Sequence, residues 1–320
     1  MRDFYLREET YAESMEKTVL PYLSQRRSEG TVSTGEKTFL RFVKYMADAP
    51  RGTVVIAHGF TESAEKYHEL SYYFLLSGYH VLIPEHRGHG RSYRDIKDAP
   101  TLTHIDRFED YADDFLMFLR GVPDTATGKL CLFAHSMGGA IGLLAMEKEP
   151  CLFEKAVLSS PMIAPSTGGV PPILAKAILH AAVIFGKSKK RAFISSPYPG
   201  VEKFEDSCKT SKERFAEYEK IKEETPEFQN YSPTYGWAYQ SMTVKRKILR
   251  RGAPERIRTK LFLAVADNDT TVDRAAEFAL ARRLPDMQVH IYENAKHEIY
   301  GSTDAVAHPY FDDVLNFFES

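Results

Sequence analysis

Cysteine is scarce. Cys131, Cys151 and Cys208 are the only three in 320 residues, an odd number with no CxxC spacing. This argues against a disulfide framework and against a zinc site, and a reducing compartment, the cytoplasm, is the expected location. No apolar run approaches the roughly 20 residues needed to span a bilayer. The opening MRDFYLREETYAESMEK is charged from its second residue, so neither a signal peptide nor an anchor is expected. Neither sign of charge is in excess: 42 Lys and Arg against 44 Asp and Glu leave a formal net charge of -2 and no electrostatic ground for a nucleic-acid partner. HExxH and a G-x-G-x-x-G after a strand are both missing, so metal and dinucleotide chemistry have no support and no cofactor is expected. Internal repeats and low-complexity tracts are absent as well.

What is present is a globular composition, 43% hydrophobic and 27% charged. Short runs rich in Val, Ile, Leu and Phe (TVVIAHG, HVLIPE, KLCLFAH, KAVLSSP, KLFLAVA and VHIYENA) read as buried strands of a parallel sheet. Segments with helical spacing lie between most of them, at 65–78, 107–121 and 273–284. The alternation predicts a doubly wound, mostly parallel α/β sheet. It breaks between Pro161 and Arg258, a gap too long for a structureless loop, so an inserted cap is expected. The resulting division is a core of 1–162 and 245–320, with an N-terminal arm of 1–34, and a cap of 163–244.

One junction carries chemistry. The strand LCLFA runs into His135, Ser136, Met137, Gly138 and Gly139, and AIGLLAMEKE then has helical spacing. This strand, sharp turn and helix is the setting of a nucleophile elbow, where small residues two before and two after the serine let strand and helix cross closely. Gly138 fills one of those places and Ala134 the other, a departure from G-x-S-x-G. The plain alternative is a serine that only caps the helix.

A serine hydroxyl attacks poorly unless a base takes its proton and a third group orients that base. Where an elbow carries such a serine, the acid follows a later strand and the histidine the last one. The loop DNDTTVD after KLFLAVA offers Asp267, Asp269 and Asp273. Asp269 is preferred for its spacing to Val272, Asp267 is the runner-up, and Asp273 reads as a helix cap. Of the late histidines, His290 lies inside a strand and His308 precedes Pro309, whereas His297 sits in the loop after the last strand, where a general base would reach the serine. Backbone N–H groups of Met137 and, from AHGFTES after TVVI, of Phe60 are the candidate oxyanion donors. His58 and Gly59 in the same loop are candidate substrate contacts.

The chain resembles α/β-hydrolases of the branch that holds monoacylglycerol lipases and bacterial membrane-associated lysophospholipases. The resemblance runs nearly end to end, through AHGFTESAEKYHEL, VLIPEHRGHGRS, HIDRFEDYADDF, AHSMGGAIG, LSSPM, SPTYGWAYQS and NAKHEI. The early REETYAESMEKTVLPYLSQRR is similar to the lysophospholipase arm. Carried over by position, the resemblance implies Ser136 as nucleophile, Asp269 as orienting acid, His297 as base, and a cap. Ala134 and Ala266 depart from its pattern.

The cap opens with GGVPPILAKAILHAAVIFGKSKKR, where Ile173, Ala177, Ala181 and Ile184 share a helical stripe with Ile178 beside it, ending in Lys187, Lys189, Lys190 and Arg191. An amphipathic helix of this kind is expected to roof an acyl pocket and touch a membrane surface, or simply to pack on the core. Ile173, Ile178 and Trp237, the single tryptophan, are candidate pocket residues, although Trp237 is first a core candidate. The expected activity is serine-dependent hydrolysis of a monoacylated lipid ester, a lysophospholipid or monoacylglycerol. Alternatives are a short-chain carboxylesterase, a serine aminopeptidase and a binding protein without catalysis.

Overall fold

The apolar runs pair into one sheet because buried backbone groups have only each other as hydrogen-bond partners; VHIYENA, expected as a buried strand, is instead an edge strand exposed at 288–291. The computed structural model describes residues 2–122 and 128–320. Among these, the sheet has eight strands: β1 Arg27–Ser33, β2 Phe39–Tyr45, β3 Gly52–Ala57, β4 Tyr79–Pro84, β5 Lys129–His135, β6 Lys155–Ser159, β7 Lys260–Ala266 and β8 Gln288–Tyr292. The order across the sheet is β1-β2-β4-β3-β5-β6-β7-β8. β2 runs antiparallel to both of its neighbours, and the other pairs are parallel. β1 and β2 are additions to the six strands expected, and β1 lies inside the segment expected as an arm. The rest of that arm, 11–24, is helical and buries Tyr11, Met15, Val19 and Leu23.

Helices α1 His68–Leu76, α2 Glu109–Gly121, α3 Met137–Lys148, α4 Pro172–Ala182, α5 Lys212–Glu224, α6 Tyr235–Ser241, α7 Arg274–Ala281 and α8 Asp304–Glu319 complete the frame. Alternation along the central strands divides the core between the two faces. Val55 and Ala57 of β3 pack with Phe115, Ile141 and Leu144 on one side. Val54 and Ile56 pack with Tyr67, Phe74 and Phe311 on the other.

Helices α4, α5 and α6 fall in the 163–244 segment and contribute no strand to this sheet. α5 is fastened to the core by Arg214, buried and paired with Glu69 at 2.9 Å and Asp304 at 2.9 Å. α4 is held far less: Leu179 is its one buried residue. Among the described residues, four non-glycine residues have positive φ, namely Thr61, Ser136, Ser160 and Asn294. Each follows the carboxyl end of a parallel strand (β3, β5, β6 and β8), so the strained backbone gathers at the edge where open α/β sheets build their sites.

Candidate active site

The elbow has a steric origin. Ser136 sits at φ 51° and ψ -116°, its N–H donating to Ser159 O at 3.1 Å and its carbonyl accepting from Met162 N at 2.8 Å. These backbone bonds hold the turn whatever the side chain. Gly138 is required by close approach: a Cβ there would lie 2.0 Å from the carbonyl oxygen of Ala57 and 2.7 Å from that of His58. The start of α3 is thereby pressed against the end of β3. The Ala134 methyl is fully buried in the core, and even a Cβ built on Gly142 would lie 3.7 Å from it, ordinary van der Waals contact.

Three side chains from three strand ends meet. His297 Nε2 is 2.8 Å from Ser136 Oγ, and His297 Nδ1 is 2.6 Å from Asp269 Oδ2. An ionised carboxylate only accepts, so Nδ1 carries the proton and the neutral Nε2 accepts from the serine hydroxyl. Asp269 Oδ1 takes the N–H groups of Thr271 at 2.7 Å and Val272 at 3.1 Å. Burial opposes the charged form of Asp269, but the His297 hydrogen bond and these two N–H groups outweigh it and hold the carboxyl below its ordinary range. The other candidates lie apart. Asp267 accepts from the Asn268 side chain, Asp273 caps α7 through Ala275 N, His290 pairs with Asp313, and His308 hydrogen-bonds Leu6 O.

Among the described residues, no protein acceptor takes the backbone N–H of Met137 or of Phe60. His58, expected as a substrate contact, is fully buried: Nε2 accepts from His86 N at 2.9 Å, so Nδ1–H donates to Gly59 O at 2.8 Å. Burial pushes its imidazole down to about 4, which keeps it neutral and makes it a brace for the loop. Gly59 is buried too, its N–H given to Glu62.

An apolar cavity of about 490 Å³ lies within the 163–244 segment, lined by Ile178, Leu179, Phe193, Ile194, Trp237 and Met242 among others; Ser136, His297 and Phe60 are not part of its lining. Trp237 is a core residue, as expected, and also borders this cavity. It is buried, its indole N–H donates to Tyr111 Oη at 3.2 Å, and its ring meets that of Phe60 at a tilt of 37° with centroids 4.0 Å apart. Ile173 requires a correction. α4 turns the side bearing Ala175, Ile178 and Leu179 toward the cavity, leaving Ile173 87% exposed and outside the lining. The stripe of Ile173, Ala177, Ala181 and Ile184 faces solvent throughout.

Sequence reasoning missed a buried polar cluster beside the triad, formed by Glu62, Lys66, His135, Glu298 and Tyr300. Glu62 stands in the quoted AHGFTES stretch, but nothing in a charged residue's identity signals burial. Glu277 of α7 was missed for the same reason. It is fully buried, neither oxygen has a hydrogen-bond partner among the described residues, and burial together with the Asp269 charge pushes its carboxyl up to about 9. From the ordinary value near 4.5 up to about 9, the folded protein keeps this proton and the unfolded chain does not, so wild-type stability declines by up to roughly 1.4 kcal/mol per pH unit. Glu277→Gln removes that dependence. Its advantage over wild type in urea unfolding is expected to widen between pH 5 and pH 8, and a constant difference would refute the protonated carboxyl.

The family model described as serine aminopeptidase, S33, matches residues 48–304. Lysophospholipase L2 of Escherichia coli (strain K12) is 30% identical over 302 residues, 92% of this chain and 88% of that protein. The monoglyceride lipase homolog of Monkeypox virus is 27% identical over 260 residues, covering 80% and 85% respectively. A crystal structure of a soluble variant of monoglyceride lipase from Saccharomyces cerevisiae, in complex with a substrate analog, matches with a TM-score of 0.70 over 92% of this chain and 96% of that one. Identity there is 18%, and the likeness is one of fold.

Proposed function

The chain belongs to the α/β-hydrolases, in the family described as serine aminopeptidase, S33, and from that premise we propose that it hydrolyses the carboxylic ester of a monoacylated lipid through an acyl-enzyme. The observation that carries the reading is the unbroken chain from Ser136 Oγ through His297 to Asp269. Ser136 Oγ attacks the ester carbonyl carbon as its proton passes to His297 Nε2, and Asp269 stabilises the imidazolium. The oxyanion of the tetrahedral intermediate is met by the N–H groups of Met137 and Phe60. Collapse expels the alcohol, which receives the proton from His297. A water deprotonated by the same nitrogen then releases the fatty acid and restores the serine.

Support for a lipid acyl group comes from the apolar cavity lined by Trp237, whose ring in turn touches Phe60 of the oxyanion loop, and from relatives named lysophospholipase and monoglyceride lipase. An aminopeptidase needs a carboxylate free to hold a substrate ammonium. Four carboxylates are already engaged, Glu62 and Glu298 with Lys66 and Glu202 and Glu219 with Lys222, and the ester reading makes no such demand. Activity on p-nitrophenyl esters below their micelle-forming concentrations tests it. Each methylene buried contributes about 0.8 kcal/mol, so four more are expected to raise kcat/KM by about two orders of magnitude. An optimum at acetate would indicate a short-chain esterase instead.

The same reading assigns the exposed face of the cap to an anionic bilayer surface. Among the described residues no helix is long and apolar enough to cross a membrane. Ile173, Ile184 and Phe185 are nevertheless all more than 60% exposed, as are Phe193 and Ile194 at the mouth of the cavity, and Lys187, Lys189, Lys190 and Arg191 are exposed as well. At about 1 kcal/mol per charge, removing Lys189, Lys190 and Arg191 together is expected to weaken binding to phosphatidylglycerol vesicles by roughly two orders of magnitude. Unchanged co-sedimentation would refute the membrane contact.

A further inference from the structure

Glu62 is 2% exposed, and a carboxylate so placed is costly unless every lone pair is met. Its donors come from separate loops. The backbone N–H of Gly59, in the loop that carries Phe60, donates to Oε2, as does the Tyr67 hydroxyl. The hydroxyl of Tyr300, just past His297, donates to Oε1 at 2.9 Å. Lys66 Nζ reaches Oε1 at 2.8 Å and Glu298, the neighbour of His297, at 2.7 Å. His135, the neighbour of Ser136, brings Nδ1 to 3.1 Å from Oε1, a close contact without hydrogen-bond geometry, since neither of its ring nitrogens has a hydrogen-bond partner among the described residues, and its ring lies 4.9 Å from that of His297. No slack remains at this junction: a Cβ on Gly59 would sit 2.9 Å from His135 Nδ1 and 3.0 Å from Glu62 Oε2.

We infer that Glu62 is a positioning residue for the reaction proposed above: one buried carboxylate, through Gly59, His135, Tyr300 and the Lys66–Glu298 pair, fixes the oxyanion loop, the nucleophile elbow and the histidine loop relative to one another. Stability alone gives no strong reason for this arrangement, since a buried ion pair is often no more stabilising than apolar residues of similar volume. Geometry gives one, because a displacement of about 1 Å in a site of this kind costs on the order of 100-fold in rate. The carboxylate is charged as the inference needs. Burial opposes ionisation, but Lys66 and His135 outweigh it and hold Glu62 well below the usual carboxylate range. The loop it braces is also strained, with Thr61 at φ 65°, a conformation a β-branched residue keeps only when its surroundings enforce it.

The test is Glu62→Gln in the full chain, which keeps the shape and one acceptor but removes the charge that Lys66 and Gly59 share. With p-nitrophenyl butyrate, kcat is expected to fall about 100-fold, the loss typical of a misaligned oxyanion donor, while KM changes less than about threefold. Affinity for an alkylboronic acid, which forms a tetrahedral anion on the serine, should fall in parallel with kcat/KM. Affinity for an uncleavable ether analogue of the substrate should not. A merely structural role would lower the folded fraction and leave kcat per folded molecule unchanged, and that result, or wild-type boronate affinity, would overturn the inference. Should Glu62→Gln not fold, the double variant Tyr67→Phe, Tyr300→Phe removes two of the donors without uncovering a charge. It is expected to lose kcat several-fold at constant KM, and wild-type kcat in it would equally overturn the inference. A wild-type protein without Ser136-dependent esterase activity would overturn the hydrolase reading itself, an outcome distinct from an active wild type that tolerates Glu62→Gln.

Discussion

Ser136→Ala is expected to lower kcat for an acyl ester by about 10⁴- to 10⁶-fold, roughly 5 to 8 kcal/mol of barrier, with almost no change in stability. The expectation separates two roles of one residue. The turn at Ser136 is held by backbone bonds to Ser159 O, Gly139 N and Met162 N, which alanine keeps. Among the described residues the side chain makes one hydrogen bond, to His297. Ser136→Gly should be equally inactive and yet more stable than the alanine variant by about 1 kcal/mol, because glycine adopts φ 51° without strain. Rates together with urea midpoints for wild type and the two variants check this. A serine that served only as a helix cap would give the opposite pattern, with stability falling and the rate unchanged.

Gly138→Ala is the substitution expected to damage the fold most for its size. Its methyl would meet the carbonyl oxygen and carbon of Ala57 at 2.0 and 2.5 Å, and backbone in the centre of a sheet cannot step aside. Either α3 lifts from β3 or the end of β3 bends. The cost is roughly 3 kcal/mol or more, in the upper range for overpacking. Because the displaced backbone leads directly into His58, Gly59 and Phe60, kcat per folded molecule is expected to fall about 100-fold as well. Gly142→Ala, one turn later on α3, is the internal comparison. Its methyl meets Leu132 Cδ2 at 2.7 Å, the movable end of a side chain, so a loss of about 1 kcal/mol and normal kcat are expected. Equal behaviour of the two variants would show that close approach of β3 and α3 does not shape the site.

The parts of the fold that could be read from the sequence are those where burial is two-sided. β3 and β4 are buried at every position, and such strands announce themselves as continuous apolar runs. β1 has no buried position, β2 mixes buried with half-buried ones, and the two carry Arg27, Glu29, Arg41 and Lys44, so composition alone does not separate them from loops. Helical periodicity located the apolar stripe of α4 but not its direction. A stripe turned outward at Ile173 and one turned inward have the same pattern. Ser136, Asp269 and His297 were legible because each follows a strand end, where chain order constrains role. Glu62, Lys66 and Glu298 were not. Charged residues usually read as surface, and the Lys66–Glu298 contact joins positions 232 apart. His58 shows the converse error: its type and place suggest substrate contact, and its two ring nitrogens are spent on bracing the loop.

The measurement that tests the central claim most directly is reaction of the folded protein with a fluorophosphonate, followed by mass spectrometry of its peptides. An activated serine predicts one equivalent of phosphonate on Ser136, none in Ser136→Ala, and slow labelling in His297→Ala, with esterase activity lost in proportion to label. No labelling of the wild type, or undiminished ester hydrolysis in Ser136→Ala, would contradict it.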